Sequence, residues 1–285
     1  MLDFRGIDYQ RDIGDAVKLI QNGLDSSYTE AFFRWKHLEN PFGESYGLVA
    51  TDQGKIIGLR MFMFWKFINK KENKILTAIR PVDTIIDREY RGKGLFKILT
   101  QRGLEECKGN YDLIFNTPNQ NSLSGYLKMG WEQKSPKYFK VGIIFPAFSV
   151  GNLNFGSFPE NINSPNNTWE TLKNKDYLKW RFQDENYKIA HYKNSFIIYS
   201  IATTSRQNQM VIQEVFGEKK ELKELLRYLA NIESTFLSYY YPNDTLDGLF
   251  IFEFNRKKSV VVVRNDSFSI GSRIIFSLGD LEGKL

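Results

Sequence analysis

Cysteine and histidine are nearly absent from this chain. It holds one cysteine, Cys107, and two histidines, His37 and His191, among 285 residues. One cysteine excludes an intrachain disulfide and a Cys-rich metal site, and the two histidines lack metal-ligand spacing. No apolar run approaches the roughly 20 residues that a membrane-spanning helix needs. Residues 1–20 meet charges before any long apolar stretch, so no secretory leader is expected. A reducing, cytoplasmic location is the simplest expectation. An arginine-rich arm is also missing. The formal charge is +6, but Lys70, Lys71 and Lys74 surround Glu72, and Lys219 and Lys220 sit between Glu218 and Glu221. A dispersed basic excess attracts anions without naming them, and direct nucleic-acid binding is not expected.

Aromatics are abundant. They make up 15% of the chain, with 23 Phe and 15 Tyr, and apolar residues make up 42%. Such a chain folds almost throughout, and its length permits one large domain or two ordinary ones. Ile13, Ala16, Val17 and Ile20 fall at helical spacing, and a second helix is predicted over 28–38. Strands are predicted over 46–50, 56–67 and 74–87, although Pro81 argues against an uninterrupted central ladder. A helix is predicted from Gly94 to about Cys107, then a strand over 111–115 and a short helix over 122–129. Residues 151–168, rich in Gly, Asn, Ser and Pro, read as a boundary. Beyond them a helix is predicted over 169–182, strands over 196–202 and 210–216, and an amphipathic helix over 218–232 with Leu222, Leu225, Leu226, Leu229 and Ile232 on one stripe. Extended segments follow over 236–241, 249–254, 259–264 and 274–278. Phe33-Arg34-Trp35-Lys36 in the first half and Leu178-Lys179-Trp180-Arg181 in the second precede the same order of strands and helix, which raises the case for an internal repeat.

The most informative stretch is Arg91-Gly92-Lys93-Gly94-Leu95-Phe96, placed between a strand signal and a helix signal. Glycines let the backbone turn without a Cβ clash. Successive amides can then face one phosphate, helped by the free N–H groups and dipole of the helix start. The lysine between glycines, with no Gly-Lys-Ser/Thr, excludes a Walker loop, and the dinucleotide-binding glycine spacing is absent.

This stretch resembles the glycine motif of the GCN5-related N-acetyltransferase superfamily, with Arg91 and Gly94 at its first fixed positions and Phe96 departing from the last, where the family has Gly or Ala. Asn119, Asn121, Tyr126, Gly130 and Trp131 resemble a second family element. The resemblance covers roughly residues 2–140. It implies an α/β (α+β) fold with a mixed, mostly antiparallel central sheet and flanking helices. The expected domains are an acetyl-CoA-binding one over 1–150 and a related, degenerate or acceptor-side one over 151–285. It further implies that Thr84, Ile85, Ile86, Arg91, Gly92, Lys93, Gly94, Leu95, Phe96 and Asn121 meet the cofactor. The strand about Thr84–Ile86 would splay from that at Leu113–Phe115 to admit the pantetheine arm.

The implied activity is transfer of an acetyl group from acetyl-CoA to a small primary amine, an amino sugar being one such acceptor. By the same resemblance Tyr126 protonates the departing thiolate. Asp83, His37 and Glu39 are the candidates for orienting or deprotonating the amine. Alternation along a strand sets Asp83 opposite Thr84, so both face one ligand only if the strand is irregular. The competing reading is a catalytically inactive CoA-binding or scaffold protein that keeps a transferase fold. Homo-oligomerisation is left open.

Overall fold

The computed structural model describes residues 2–134, 137–147, 153–160, 162, 164, 166–203, 207–264 and 274–281. The chain divides into two units. Unit 1 comprises Met1–Phe67, Ile75–Lys134 and Val261–Gly271, and unit 2 comprises Ile68–Lys74, Ser135–Val260 and Ser272–Leu285. This division differs from a single cut at 150/151, because one stretch of late chain returns to the first unit.

In unit 1 the elements run β1 (Leu2–Gly6), α1 (Ile13–Gly23), α2 (Glu30–His37), β2 (Tyr46–Asp52), β3 (Lys55–Asn69), β4 (Lys74–Ile86), a 3-10 turn (Arg88–Tyr90), α3 (Leu95–Glu106), β5 (Leu113–Asn116), α4 (Gln120–Lys128) and β6 (Glu132–Gln133). Unit 2 continues with β7 (Lys137–Ile143), β8 (Leu153–Phe155), β9 (Trp169–Thr171), α5 (Lys175–Arg181), β10 (Lys188–Tyr192), β11 (Ser195–Thr203), β12 (Asn208–Phe216), α6 (Lys219–Ile232), β13 (Leu237–Tyr240) and β14 (Phe252–Ser259). The chain then adds β15 (Val262–Arg264) to unit 1, and β16 (Ile274–Ile275) and α7 (Leu278–Leu281) to unit 2.

The unit 1 sheet runs β1-β2-β3-β4-β5-β15-β6, and that of unit 2 runs β14-β7-β13-β12-β11-β10-β8. Most neighbours are antiparallel, as between β1 and β2 or β10 and β11. Each unit has one parallel pair bridged by a helix, β4 with β5 across α3 and β12 with β13 across α6. Parallel neighbours require such a crossover.

Hydrophobic spacing decides how the helices seat. On α3, Leu95, Leu99 and Leu104 are buried, and Leu95 and Leu99 pack with Leu48, Ala50 and Ile57 of the sheet. Gly103 permits this approach, since a Cβ there would sit 2.2 Å from the Phe62 ring. On α6, Leu222, Leu225, Leu226 and Leu229 are fully buried against Ile197, Tyr199, Met210 and Tyr240. Each such leucine contributes about 2 kcal/mol of burial. Ile232, expected on that stripe, is 44% exposed because α6 ends there.

Several expected elements differ. The predicted helix over 169–182 is a short strand, β9, followed by α5, whose start is set by Asn174 accepting from the Tyr177 amide. The extended segment predicted over 249–254 begins later, as β14, and that over 274–278 shortens to β16. Positions 148–152, 161, 163 and 165 of the expected boundary and its approach lie outside the described residues. Pro81 sits inside a continuous β4, yet the β4–β5 pairing ends at Ile79–Ile114, just before it. A prolyl nitrogen has no hydrogen to donate to a ladder.

Candidate active site

The glycine turn has the backbone its sequence requires. Gly92 and Gly94 adopt φ of +77° and +76°, and nothing lies within 4 Å of where a Cβ would stand on either. Gly94 caps α3 in the left-handed conformation that side chains resist. Arg91, Gly92, Lys93 and Gly94 are exposed, Phe96 is half-buried and Leu95 anchors in the core. The backbone N–H groups of residues 92–96 have no acceptor among the described residues; the first amide of this stretch to find one is Lys97, which donates to the Gly94 carbonyl. Five consecutive free donors at a helix start carry the partial positive charge of its dipole. The basic side chains are less free. Arg91 Nε donates to the Ile86 carbonyl at 3.1 Å, and Lys93 Nζ lies 4.5 Å from the centre of the Tyr90 ring.

Between β4 and β5 the ladder stops at Ile79–Ile114, and the outer part of β5 pairs on its other side with β15. Beyond that point β4 continues to Ile86 without pairing to Phe115 or Asn116. Tyr126 of α4 is buried beside this gap. Its hydroxyl accepts from Arg60 Nη2 at 2.7 Å and from Asn116 Nδ2 at 2.5 Å. Arg60 Nη1 donates to Thr84 Oγ1. The Phe96 ring meets Tyr126 edge-on at 5.7 Å. Asn119 begins α4 by accepting from the Ser122 amide. Asn121 lies on the same helix, and its side chain is outside the described residues.

The structure gathers Asp83 and His37 and leaves Glu39 outside. Asp83 has φ +43°, so β4 is irregular there. That twist turns Asp83 toward α2 while Thr84 faces Arg60. Asp83 Oδ1 accepts from Lys36 Nζ at 2.8 Å, and Oδ2 accepts from Tyr28 Oη at 2.6 Å and His37 Nε2 at 2.8 Å. Burial works to raise the Asp83 pKa, but the Lys36 ammonium and the His37 hydrogen bond outweigh it and hold the carboxyl well below its usual range. Burial lowers the pKa of His37, against the pull of Asp83. A neutral imidazole that donates to a carboxylate through Nε2 must accept through Nδ1, here from Ser45 Oγ at 3.0 Å. Both ring nitrogens are thereby engaged. Burial, then Asp83, raises the pKa of Tyr28. Glu39, two residues past α2's last residue, is exposed.

Residues 9–134 match the family model described as an acetyltransferase (GNAT) domain. Solved structures share the fold. A GCN5-related N-acetyltransferase from Anabaena variabilis is 14% identical with a TM-score of 0.70, over 93% of this chain and 73% of that one. A GCN5-related N-acetyltransferase from Kribbella flavida is 13% identical at a TM-score of 0.68, over 93% and 71%. Eis1 from Mycobacterium abscessus is 10% identical at 0.65, over 93% and 73%. No curated protein matches the sequence. No helix of the described residues is long and apolar enough to cross a membrane.

Arg60 of unit 1 is a further residue of this site that apolar patterning does not mark. It lies in an apolar strand, Ile56 to Phe67, where a single arginine reads as an outward-facing charge. A cation in the middle of a fifteen-residue strand otherwise nearly buried was the available signal.

Proposed function

We propose that the chain is an acyl-CoA-dependent N-acyltransferase, with acetyl-CoA as donor and a small primary amine, an amino sugar among the candidates, as acceptor. One observation carries this reading: five adjacent amides at a helix start, Gly92 to Phe96, have no acceptor in the described protein, and nothing lies within 4 Å of where a Cβ would stand on Gly92 or Gly94. They suit the pyrophosphate of CoA, and the gap beyond Ile79–Ile114 suits an extended arm along Thr84–Ile86.

Tyr126 is the proton donor in this proposal. A neutral amine attacks the thioester carbonyl, and the departing sulfur takes a proton from the phenol. Neither Asp83 nor His37 is suited to accept the proton that the amine loses. The Asp83 carboxylate already accepts from three donors that hold it ionised, and both His37 nitrogens are occupied. These two residues hold α2 against β4, and the amine's proton leaves through water. Glu39, on the exposed rim beyond α2, stays a candidate for orienting the amine.

We also propose that unit 2 is a second copy of the same fold. Its order β8-β10-β11-β12-β13 repeats β1-β2-β3-β4-β5, including the parallel pair with its crossover helix. Calorimetric titration with CoA, followed by thiol release from acetyl-CoA across a panel of primary amines, tests the function. Micromolar to low-millimolar binding with amine-dependent thiol release is expected; no binding at millimolar CoA overturns the reading.

A further inference from the structure

Arg60 is inaccessible to solvent, and no carboxylate pairs with it among the described residues. An uncompensated buried charge is strongly destabilising, so its retention calls for a reason. Its guanidinium lies 5.0 Å from the Phe96 ring centre and 5.7 Å from that of Phe62. It donates to Thr84 and Tyr126, while Nε finds no acceptor.

We infer that Arg60 is a positioning residue for acyl transfer, an inference that rests on Tyr126 being the proton donor. A phenolic oxygen has two acceptor positions and one hydrogen. Arg60 Nη2 and Asn116 Nδ2 fill both acceptor positions. The Asn116 amide is oriented by its own Oδ1, which accepts from the Thr117 N–H at 2.7 Å. The hydroxyl hydrogen therefore points away from both and has no acceptor within the described protein. Arg60 makes Tyr126 a donor reserved for a ligand atom.

The amine nitrogen bonds to the carbonyl carbon and the carbon–sulfur bond breaks with its electron pair moving to sulfur. Tyr126 passes its hydroxyl proton to that sulfur, and the proton shed by the nitrogen returns to the phenolate through water. Negative charge on the phenolic oxygen is transient, and a fixed cation 2.7 Å away in a water-poor site stabilises it without reorganisation. The same arrangement explains why residue 96 departs from a small side chain. Phe96 covers the guanidinium with an aromatic ring, and Gly125 leaves room for it, since a Cβ there would approach that ring to 3.1 Å.

The test uses the full chain, with Arg60→Met, Arg60→Lys, Tyr126→Phe and the double variant Arg60→Met/Tyr126→Phe. Thiol release is measured from acetyl-CoA with the best amine of the panel. Arg60→Met is expected to lower kcat about 30-fold with KM for acetyl-CoA within about 3-fold, and to cost less than about 3-fold when added to Tyr126→Phe. Arg60→Lys should recover part of the loss. An equal loss in both backgrounds, or a loss carried by KM, overturns the inference alone. An active Tyr126→Phe, or no turnover with any amine, overturns the reading of Tyr126 beneath it.

A second readout needs no turnover. With tyrosine labelled at the ring carbon bearing oxygen, the Tyr126 resonance is assigned by its absence from Tyr126→Phe. It should shift on addition of CoA, stay in place with desulfo-CoA, and shift less with CoA in Arg60→Lys, which also covers the case that Arg60→Met does not fold. An unchanged CoA response in Arg60→Lys contradicts the inference.

Discussion

Two helices occupy matching places in the two units, each crossing between the parallel strands of its sheet, and they treat an anion in opposite ways. In unit 1, α3 begins after Gly92 and Gly94 with free amides and open space. In unit 2, α6 begins after Gly217, where a Cβ would lie 1.9 Å from Ser195 Oγ. The Glu218 amide donates to that same Ser195 oxygen at 3.1 Å, and Ser195 donates in turn to Glu221 at 2.7 Å. Acidic side chains at a helix N-terminus meet its dipole and repel a phosphate. One topology thus leaves the amides of its helix start without acceptors in one unit and engages them with its own side chains in the other.

The buried charge clusters differ as well. In unit 1 a single carboxylate, Asp83, serves Lys36, His37 and Tyr28. In unit 2 Glu214 lies 2.6 Å and Asp280 3.9 Å from Lys173. Burial, with Asp280 adding to it, pushes Glu214 up to about 7, while the surrounding carboxylates, against burial, raise Lys173. Removing the lone carboxylate should therefore be the most damaging change. Asp83→Asn removes the carboxylate that faces the buried Lys36 ammonium and is expected to lose about 3 kcal/mol of stability. Denaturant unfolding would read it, and a loss no greater than that of Asp280→Asn would erase the contrast.

Tyr126→Phe should come next, lowering kcat roughly 10²-fold, or about 2.7 kcal/mol, with CoA affinity kept. Steady-state thiol release checks it. Gly94→Val forces a β-branched residue into a left-handed backbone and should weaken CoA binding about tenfold or more. Glu218→Ala, at the matching helix start, should leave binding unchanged. Calorimetry that finds equal losses would dissolve the distinction between the helix starts.

The smallest effect concerns pH. Asp83 has a folded pKa below its ordinary 3.8, so its stabilisation is present above about 4 and is lost as pH falls through the folded value. Glu214 has a folded value near 7 against an ordinary 4.5, so its contribution is present below about 4.5 and is lost as pH rises through 7. Between pH 5 and 8 the melting temperature should fall by a few degrees, and Glu214→Gln should flatten that slope. A steeper slope in the variant would reverse the assignment.

Much of unit 1 was legible in the sequence because its signals are local. The glycine turn and the α3 stripe each follow from neighbouring residues, whereas α4 begins at Gln120, two residues before the predicted 122. The pairing of Asp83 with α2 depended on a positive φ inside a strand, which no pattern of apolar residues announces. The role of Arg60, though its charge stands out in an apolar strand, was not legible for the same kind of reason: its partners, Thr84, Phe96 and Tyr126, lie on three other elements. The strands β7 and β15 each join a sheet distant in sequence, so a boundary drawn from loop composition at 150/151 missed both crossings.

The account stands most directly on the number of CoA molecules that the chain takes up. Calorimetric titration of the full chain should give one site per chain, abolished or weakened at least tenfold in Gly94→Val. Two equivalent sites, or one that Gly94→Val leaves untouched, would contradict it.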